Sequence, residues 1–280
     1  MSQELHSIPP STALSQEEKV IRLRPDGVWE SITDSIAIEE PLEIQIEEKT
    51  IAITMRTPGH DRELATGFLL TESIALSPQE ILSAHPCPLS NHPNLLKVTL
   101  SKKIDSLTKE LSRYGTISSS CGLCGKQSIE EVLRNFPAIP HRLQVPLKTI
   151  LELPETFSKN QSSYQQTGGL HAAALFDPTG KLILLREDVG RHNAVDKVIG
   201  WCAQNDLWPP EKSILMVSGR LSFEIVQKAL AARIPMILGV SAPSSLAISF
   251  ARQSGQTLIG FLRPPRLNVY SHIESVRCDS

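Results

Sequence analysis

The chain has 280 residues, 28 of them Lys or Arg and 30 Asp or Glu, for a formal net charge of −2. That balance excludes a global field able to gather nucleic acid polymer or an anionic membrane surface, and no apolar run or basic-then-apolar leader predicts a membrane span or signal. Five cysteines, an odd number, fit a reducing compartment better than a disulfide framework, so the expectation is a soluble cytoplasmic protein.

Residues 1–18 are rich in Ser, Pro and Glu and read as a disordered tail. Residues 19–140 read as a small α+β domain. Within it Leu42, Ile44 and Ile46 alternate with polar neighbours, and 51–55 follows after a charged turn, which predicts a hairpin. Leu64, Phe68 and Leu69 mark 61–73 as a helix, and 95–100 reads as a strand. A polar connector over 102–127 leads to Ser128 and Glu131, a capping-box pair ahead of Val132 and Leu133, so a helix is predicted to run toward Pro137. The proline-bearing stretch 140–163 reads as a short helix between two loops.

Residues 141–280 read as a more regular α/β domain. Strands over 172–176 and 182–187 flank an Asp-Pro-Thr-Gly turn and predict a hairpin. Helices over 193–204, 221–232 and 244–253 then alternate with strands over 213–217, 235–240 and 257–261. Such alternation indicates parallel βαβ units with right-handed crossovers.

The connector holds the most chemically telling pattern, Ser-Cys-Gly-Leu-Cys-Gly, with Cys121 and Cys124 the one CxxC pair in the sequence. Two thiols at this spacing can share a metal, close a disulfide or lower one another's pKa. Structural zinc needs about four ligands, and no second CxxC, CxxH or HxxxH supplies the other two. A thioredoxin-like motif would sit beside a βαβ pattern, which this one does not. Gly122 and Gly125 let the loop present sulfur, while Lys126 and the following helix start favour thiolate. A reactive cysteine on a presenting loop is therefore the favoured reading, ahead of two incidental cysteines in a turn.

In the second half, strand ends open into Ser218-Gly219-Arg220, Ser241-Ala242-Pro243 and Leu262-Arg263. In open parallel sheets ligands bind beyond the strand carboxyl ends, and Ser, Gly and Arg there suit an anionic ligand, with ordinary helix capping as the alternative. The run from Glu187 to Lys197 packs acidic, basic and imidazole groups into one strand-to-helix junction. The favoured reading directs Arg191 and His192 at an anionic ligand or at the sulfur chemistry. His171 stands where zinc nucleobase deaminases carry His-x-Glu, but Ala173 replaces the proton-shuttling Glu and no Pro-Cys-x-x-Cys follows, so deamination is excluded and His171 reads equally as a core histidine.

Five blocks occur in order: Ser-Cys-Gly-Leu-Cys-Gly, Gly-Gly-Leu-His-Ala-Ala, Glu-Asp-Val-Gly-Arg-His-Asn-Ala-Val-Asp-Lys, Ser-Gly-Arg-Leu-Ser-Phe-Glu and Val-Ser-Ala-Pro-Ser-Ser-Leu-Ala. Together they resemble the formate dehydrogenase accessory sulfurtransferase family, FdhD. The resemblance implies a cytidine deaminase-like mixed sheet with flanking helices, joined to a smaller N-terminal α+β domain, and no bound metal. It implies a carrier that takes sulfane sulfur from a cysteine desulfurase and passes it to the bis-molybdopterin guanine dinucleotide molybdenum cofactor, a bound substrate, for a formate dehydrogenase client. It makes Cys121 the persulfide carrier and Cys124 its helper, and places cofactor binding on Gly260, Phe261, Leu262, Arg263, Pro264 and Pro265. The sheet-edge residues Ser218, Arg220, Ser241, Arg191 and His192 join them as candidates for the pyrophosphates, and a homodimer is expected. Two alternatives stand beside this: a thiol–disulfide oxidoreductase, and a non-enzymatic cofactor-binding chaperone.

Overall fold

The computed structural model describes residues 14–87, 94–102, 117–118, 132–133, 135–140 and 143–278. The first module opens with an antiparallel ribbon of β1 (Ser15–Leu23) and β2 (Trp29–Ala37), paired from Ser15↔Ala37 to Leu23↔Trp29. The strand thus begins inside the stretch predicted as a disordered tail. The composition of 1–18 gave no sign of it because the stabilising partner, β2, lies beyond the window in which polar composition was read.

The ribbon leads to β3 (Glu40–Ile46), β4 (Lys49–Arg56), α1 (Asp61–Thr71), β5 (Ile81–Pro86), β6 (Leu95–Leu100) and β7 (Ile117–Ser118). These strands form a five-stranded sheet ordered β5-β6-β3-β4-β7. The predicted hairpin is β3–β4, and its alternating Leu42, Ile44 and Ile46 meet Leu64, Leu69 and Leu70 of α1 in one core. Arg56, 1% exposed, is held by a bidentate pair with Asp61, by Glu40 and by Asn94. Four bonds to a rigid guanidinium fix the turn from β4 into α1.

The second module runs β8 (Val145–Pro146), α2 (Leu147–Lys159), α3 (Ser162–Thr167), β9 (His171–Phe176), β10 (Leu182–Asp188), α4 (Arg191–Gln204), β11 (Ile214–Val217), α5 (Phe223–Ala231), β12 (Met236–Gly239), α6 (Ser245–Ser254), β13 (Thr257–Arg263), β14 (Arg266–Ser271) and β15 (Val276–Arg277). Six strands form one sheet in the order β10-β9-β11-β12-β13-β14. The parallel expectation holds for β11, β12 and β13. It does not extend to β9, antiparallel to β11, or to β14, antiparallel to β13, so the sheet is mixed. Where the sequence predicts a short helix within 140–163, α2 runs 13 residues with Pro154 inside it. The proline is tolerated because Ile150, Leu153 and Phe157 share one buried face.

Both faces of the central strands are buried. Leu215, Val217, Ile237 and Leu258 face α4, α5 and α6, while Ile214, Met216, Leu238 and Ile259 face α2. Two-sided burial explains why these strands read as unbroken apolar runs rather than alternations.

The modules join where α1 lies against α4. A Cβ on Gly67 would overlap the Asp196 carbonyl, and one on Gly200 would overlap the Glu63 carbonyl, with backbone rather than a yielding side chain in the way. Gly200→Ala is therefore expected to destabilise the protein by about 2 kcal/mol or more. Urea unfolding should show a lowered midpoint at unchanged slope.

Candidate functional site

Because β9 runs opposite to β10 and β11, its amino end shares an edge with the carboxyl ends of β10, β11, β12 and β13. That edge collects His171, the 188–192 turn, Ser218-Gly219-Arg220, Ser241 and the 260–265 segment. It also receives the amino ends of α4, α5 and α6, whose unpaired N–H groups favour anions.

The charged junction from Glu187 to Lys197 divides into two parts. Most of it builds a buried joint. Glu187 accepts from the backbone N–H groups of Ser163 and Tyr164 at 2.9 and 2.7 Å. Asp188, with 0% exposure, receives Lys197 Nζ at 2.7 Å, Asn193 Nδ2 at 3.0 Å, and the N–H groups of Gly190 and Thr57 at 2.8 and 3.2 Å. Lys197 Nζ also donates to the carbonyls of Thr57 and Glu187. Asn193 reaches across the modules, donating to the Met55 carbonyl at 2.7 Å and accepting from Thr54 Oγ1 at 3.1 Å. Next to it Asp196 and Glu72 pair with Lys228, and burial pushes the Asp196 carboxyl up to about 6 despite that ammonium.

Arg191 and His192 are left for the edge. Arg191 has its Nε buried with no hydrogen-bond partner among the described residues. His192 Nε2 lies 3.4 Å from Ser222 Oγ, and its pKa falls to about 4, through burial first and then the charges of Lys228 and Arg191. His171 Nδ1 lies 3.5 Å from Ser218 Oγ, which itself accepts from the Ala172 N–H at 2.9 Å. Burial, then Arg191 and Arg220, lower the His171 pKa as well. Both imidazoles are therefore neutral near pH 7, with a donor and an acceptor each. His171, half-buried on the edge, is not the core histidine that was its alternative reading.

The 260–265 segment forms the end of β13 and the turn into β14. Its side chains alternate, so the candidates separate. Leu262, 1% exposed, belongs to the core on the α2 face and offers a ligand only backbone. Gly260 is required by packing, since a Cβ would press on Pro243, the Ser241 carbonyl and Tyr270 at 3.0–3.1 Å. Phe261, Arg263, Pro264 and Pro265 face outward. Phe261 is the unusual one: a non-glycine residue at φ 48 with its ring 41% exposed, tied by its N–H to the Ser241 carbonyl. An aromatic ring held outward on strained backbone is a recurrent functional feature. Arg263 Nε donates to the Val240 carbonyl at 3.3 Å. Ser244, by contrast, caps α6 through Ala247 N–H, so ordinary capping accounts for it.

Cys121 and Cys124 lie outside the described residues, as does the predicted helix start at Ser128. The chain enters them from β7, whose Ile117 and Ser118 pair with Ala52 and Ile53 of β4. The next residues of β4, Thr54 and Met55, are those that Asn193 holds. Among the described cysteines, Cys202 is buried and its thiol is pushed up to about 12, which removes it as a nucleophile. No helix is long and apolar enough to cross a membrane among the described residues.

A family model for FdhD/NarQ matches residues 37–277, and the chain belongs to that family. A protein named "Sulfur carrier protein FdhD" from Nocardia farcinica is 43% identical over 274 residues, covering 95% of this chain and 96% of its own. Its namesake from Streptomyces coelicolor is 44% identical over 273 residues, at 94% and 96% coverage. An archaeal namesake from Saccharolobus solfataricus is 42% identical over 260 residues, at 92% and 96%. A crystal structure assigned to a formate dehydrogenase accessory protein from Desulfotalea psychrophila superposes with a TM-score of 0.76 at 28% identity, covering 95% of this chain and all of that one.

Two outcomes test this electrostatic arrangement. Lys197→Met leaves Asp188 charged and buried without its cation, and should lower unfolding free energy by about 3 kcal/mol or more. For His192, the unfolded chain takes a proton near 6.5 and the folded chain near 4. Stability is thus full above pH 6.5 and falls as the pH drops toward 4, by roughly 3 kcal/mol. His192→Gln should flatten that slope in denaturant titrations across the same pH window.

Proposed function

We propose that the protein is a sulfur carrier in formate dehydrogenase maturation. It accepts sulfane sulfur from a cysteine desulfurase as a persulfide on Cys121 and passes it to the bis-molybdopterin guanine dinucleotide cofactor of that enzyme. The observation that carries this reading is the family match over 37–277, joined to relatives named sulfur carriers that align along nearly the whole chain. Those relatives' names bear on sulfur. The sheet edge bears on the acceptor, since Arg191, Arg220, Arg263 and the helix amino ends suit the pyrophosphates of a dinucleotide.

The loading step balances without an outside oxidant. The Cys121 thiolate attacks the outer sulfur of the donor's persulfide, the donor's S–S bond breaks, and the donor cysteine departs as thiolate. The transferred sulfur, with its proton, is then bonded to Cys121. Cys124 three residues on assists, by tuning the Cys121 pKa or by attacking the persulfide as the sulfur leaves. The reading includes a cytoplasmic homodimer; it also includes a cytidine deaminase-like fold for the second module, which the mixed sheet and His171 at the start of β9 support.

The test is intact-protein mass spectrometry after incubation with a cysteine desulfurase and free cysteine. Wild type should gain one sulfur atom, lost again on reduction, and Cys121→Ala should gain none. A wild type that gains nothing, or a Cys121→Ala protein that gains the same sulfur, would overturn the carrier assignment. In that case a cofactor-holding chaperone or a thiol–disulfide oxidoreductase takes its place.

A further inference from the structure

We infer that the outer end of the β1–β2 ribbon is the contact face of the homodimer, where it clasps the same face of a second copy across a two-fold axis. The described contacts anchor the ribbon at its base. There β2 packs on α3, and a Cβ built on Gly169 would come within 3.3 Å of the Ala37 methyl group. From that base nine unbroken pairs run outward to Leu23↔Trp29, about 30 Å at the usual rise per residue. Among the described residues neither strand pairs with any other.

Strand alternation sorts the ribbon's side chains onto two faces. Ile21, Leu23 and Trp29 fall on one face, side by side at the outer end, because Leu23 opposes Trp29 and Ile21 stands two residues back. They are 60%, 56% and 69% exposed, and Val28 at the turn is 50% exposed. The charged Arg22 and Glu30 at this end alternate onto the opposite face. A two-stranded ribbon is marginal by itself, and natural open strands are usually guarded by a bulge, a proline or an edge charge. No bulge or proline interrupts either strand here, so the apolar end stands ready to be covered.

Charge, shape and size decide what covers it. Arg22 lies 3.9 Å from Glu30 and Arg24 lies 3.1 Å from Asp26, so the outer end is balanced within itself. It has no net charge with which to select an oppositely charged surface, and an identical copy meets it without like-charge repulsion. The turn is also shaped in advance. The Asp26 carboxylate accepts from the Val28 N–H at 3.2 Å, and the N–H groups of Arg24 and Gly27 donate to the carbonyls of Val28 and Arg24 at 2.9 Å. Docking therefore orders little new chain. Four side chains at these exposures leave about 450 Å² of apolar surface per copy, or about 900 Å² for two. A specific interface clears about 1,000 Å², and Lys19, Ser31 and Thr33 on the same face carry the total past it. A two-fold axis makes such a patch its own complement.

The homodimer belongs to the proposed function, and the ribbon's role rests on that part of it; the sulfur chemistry does not enter. Sedimentation velocity of the full chain over a dilution series tests it. Wild type should sediment as a dimer, and Trp29→Glu and Leu23→Glu should each weaken that dimer about thirtyfold or more. Both side chains are exposed within the protomer, so the variants should keep the wild-type circular dichroism. Leu82→Glu, at a side chain 63% exposed on β5, should leave the dimer intact. Wild-type tryptophan emission should move to longer wavelength on dilution as Trp29 returns to water, and Trp29→Phe should abolish that shift while keeping the dimer. A wild-type dimer untouched by both ribbon charges, or weakened as much by Leu82→Glu, would overturn this interface and leave the homodimer standing. A monomeric wild type would overturn both, and a monomer whose binding to a cysteine desulfurase is lost in Trp29→Glu would assign the face to the donor instead. Persulfide loading of Cys121 is read by mass and involves none of these measurements, so its failure would refute the carrier reading alone.

Discussion

A single buried carboxylate, Asp188, organises the junction between the modules. Taking an ionised Asp out of water costs several kcal/mol unless cations and donors replace the lost hydration. Here Lys197, Asn193, Gly190 and Thr57 supply that replacement, and two of the four bring constraints of their own. Thr57 belongs to the chain leaving β4, and Asn193 grips β4 at Thr54 and Met55. The carboxylate therefore fixes the position of a strand from the first module against the opening turn of α4 in the second. The glycine contacts between α1 and α4 hold the same two modules together further along those helices.

That joint has consequences on both sides. On one side β4 pairs with β7, the strand three residues ahead of Cys121. On the other, the turn that Asp188 holds delivers Arg191 and His192 to the sheet edge, and neither has a carboxylate within ion-pair distance among the described residues. Burial and neighbouring cations keep His171 and His192 neutral there, so among the described residues the charged side chains that make the edge positive are arginines. The same few residues thus relate the strand that precedes the CxxC segment to the arginine-bearing rim of the second sheet. The proposed transfer of sulfur to a nucleotide-bearing cofactor needs that relation.

Much of the second module was legible in the sequence because its apolar runs have the length and spacing of buried strands and amphipathic helices. The β3–β4 hairpin, α1 and β6 were legible for the same reason. The ribbon β1–β2 was not, since its pairing carries little alternation and its outer residues Ile21, Leu23 and Trp29 stand more than half exposed. The antiparallel setting of β9 escaped as well, because strand direction depends on which neighbours pair and a hairpin gives no hint of that. At the site, the edge turns and the charged junction were visible as motifs. Their division of labour was not: Asp188, Asn193 and Lys197 are structural because they exchange hydrogen bonds with Thr54, Met55 and Thr57, more than 130 positions away. His171 and Gly219 were ambiguous for a similar reason, as only the fold brings them to Arg191.

The measurement that bears most directly on this coupling is single-turnover sulfur transfer by Asn193→Ala. The variant would be loaded with isotopically labelled sulfane sulfur and mixed with formate dehydrogenase and its cofactor, and label in the recovered cofactor followed with time. Loss of the Asn193 bonds loosens β4 against α4 without touching a thiol or an edge arginine. Loading should match wild type, and transfer should slow by about tenfold or more, as expected when a reacting group is held less closely in place. Transfer at the wild-type rate by a folded, fully loaded Asn193→Ala protein would contradict the idea that the buried joint sets carrier and acceptor in register.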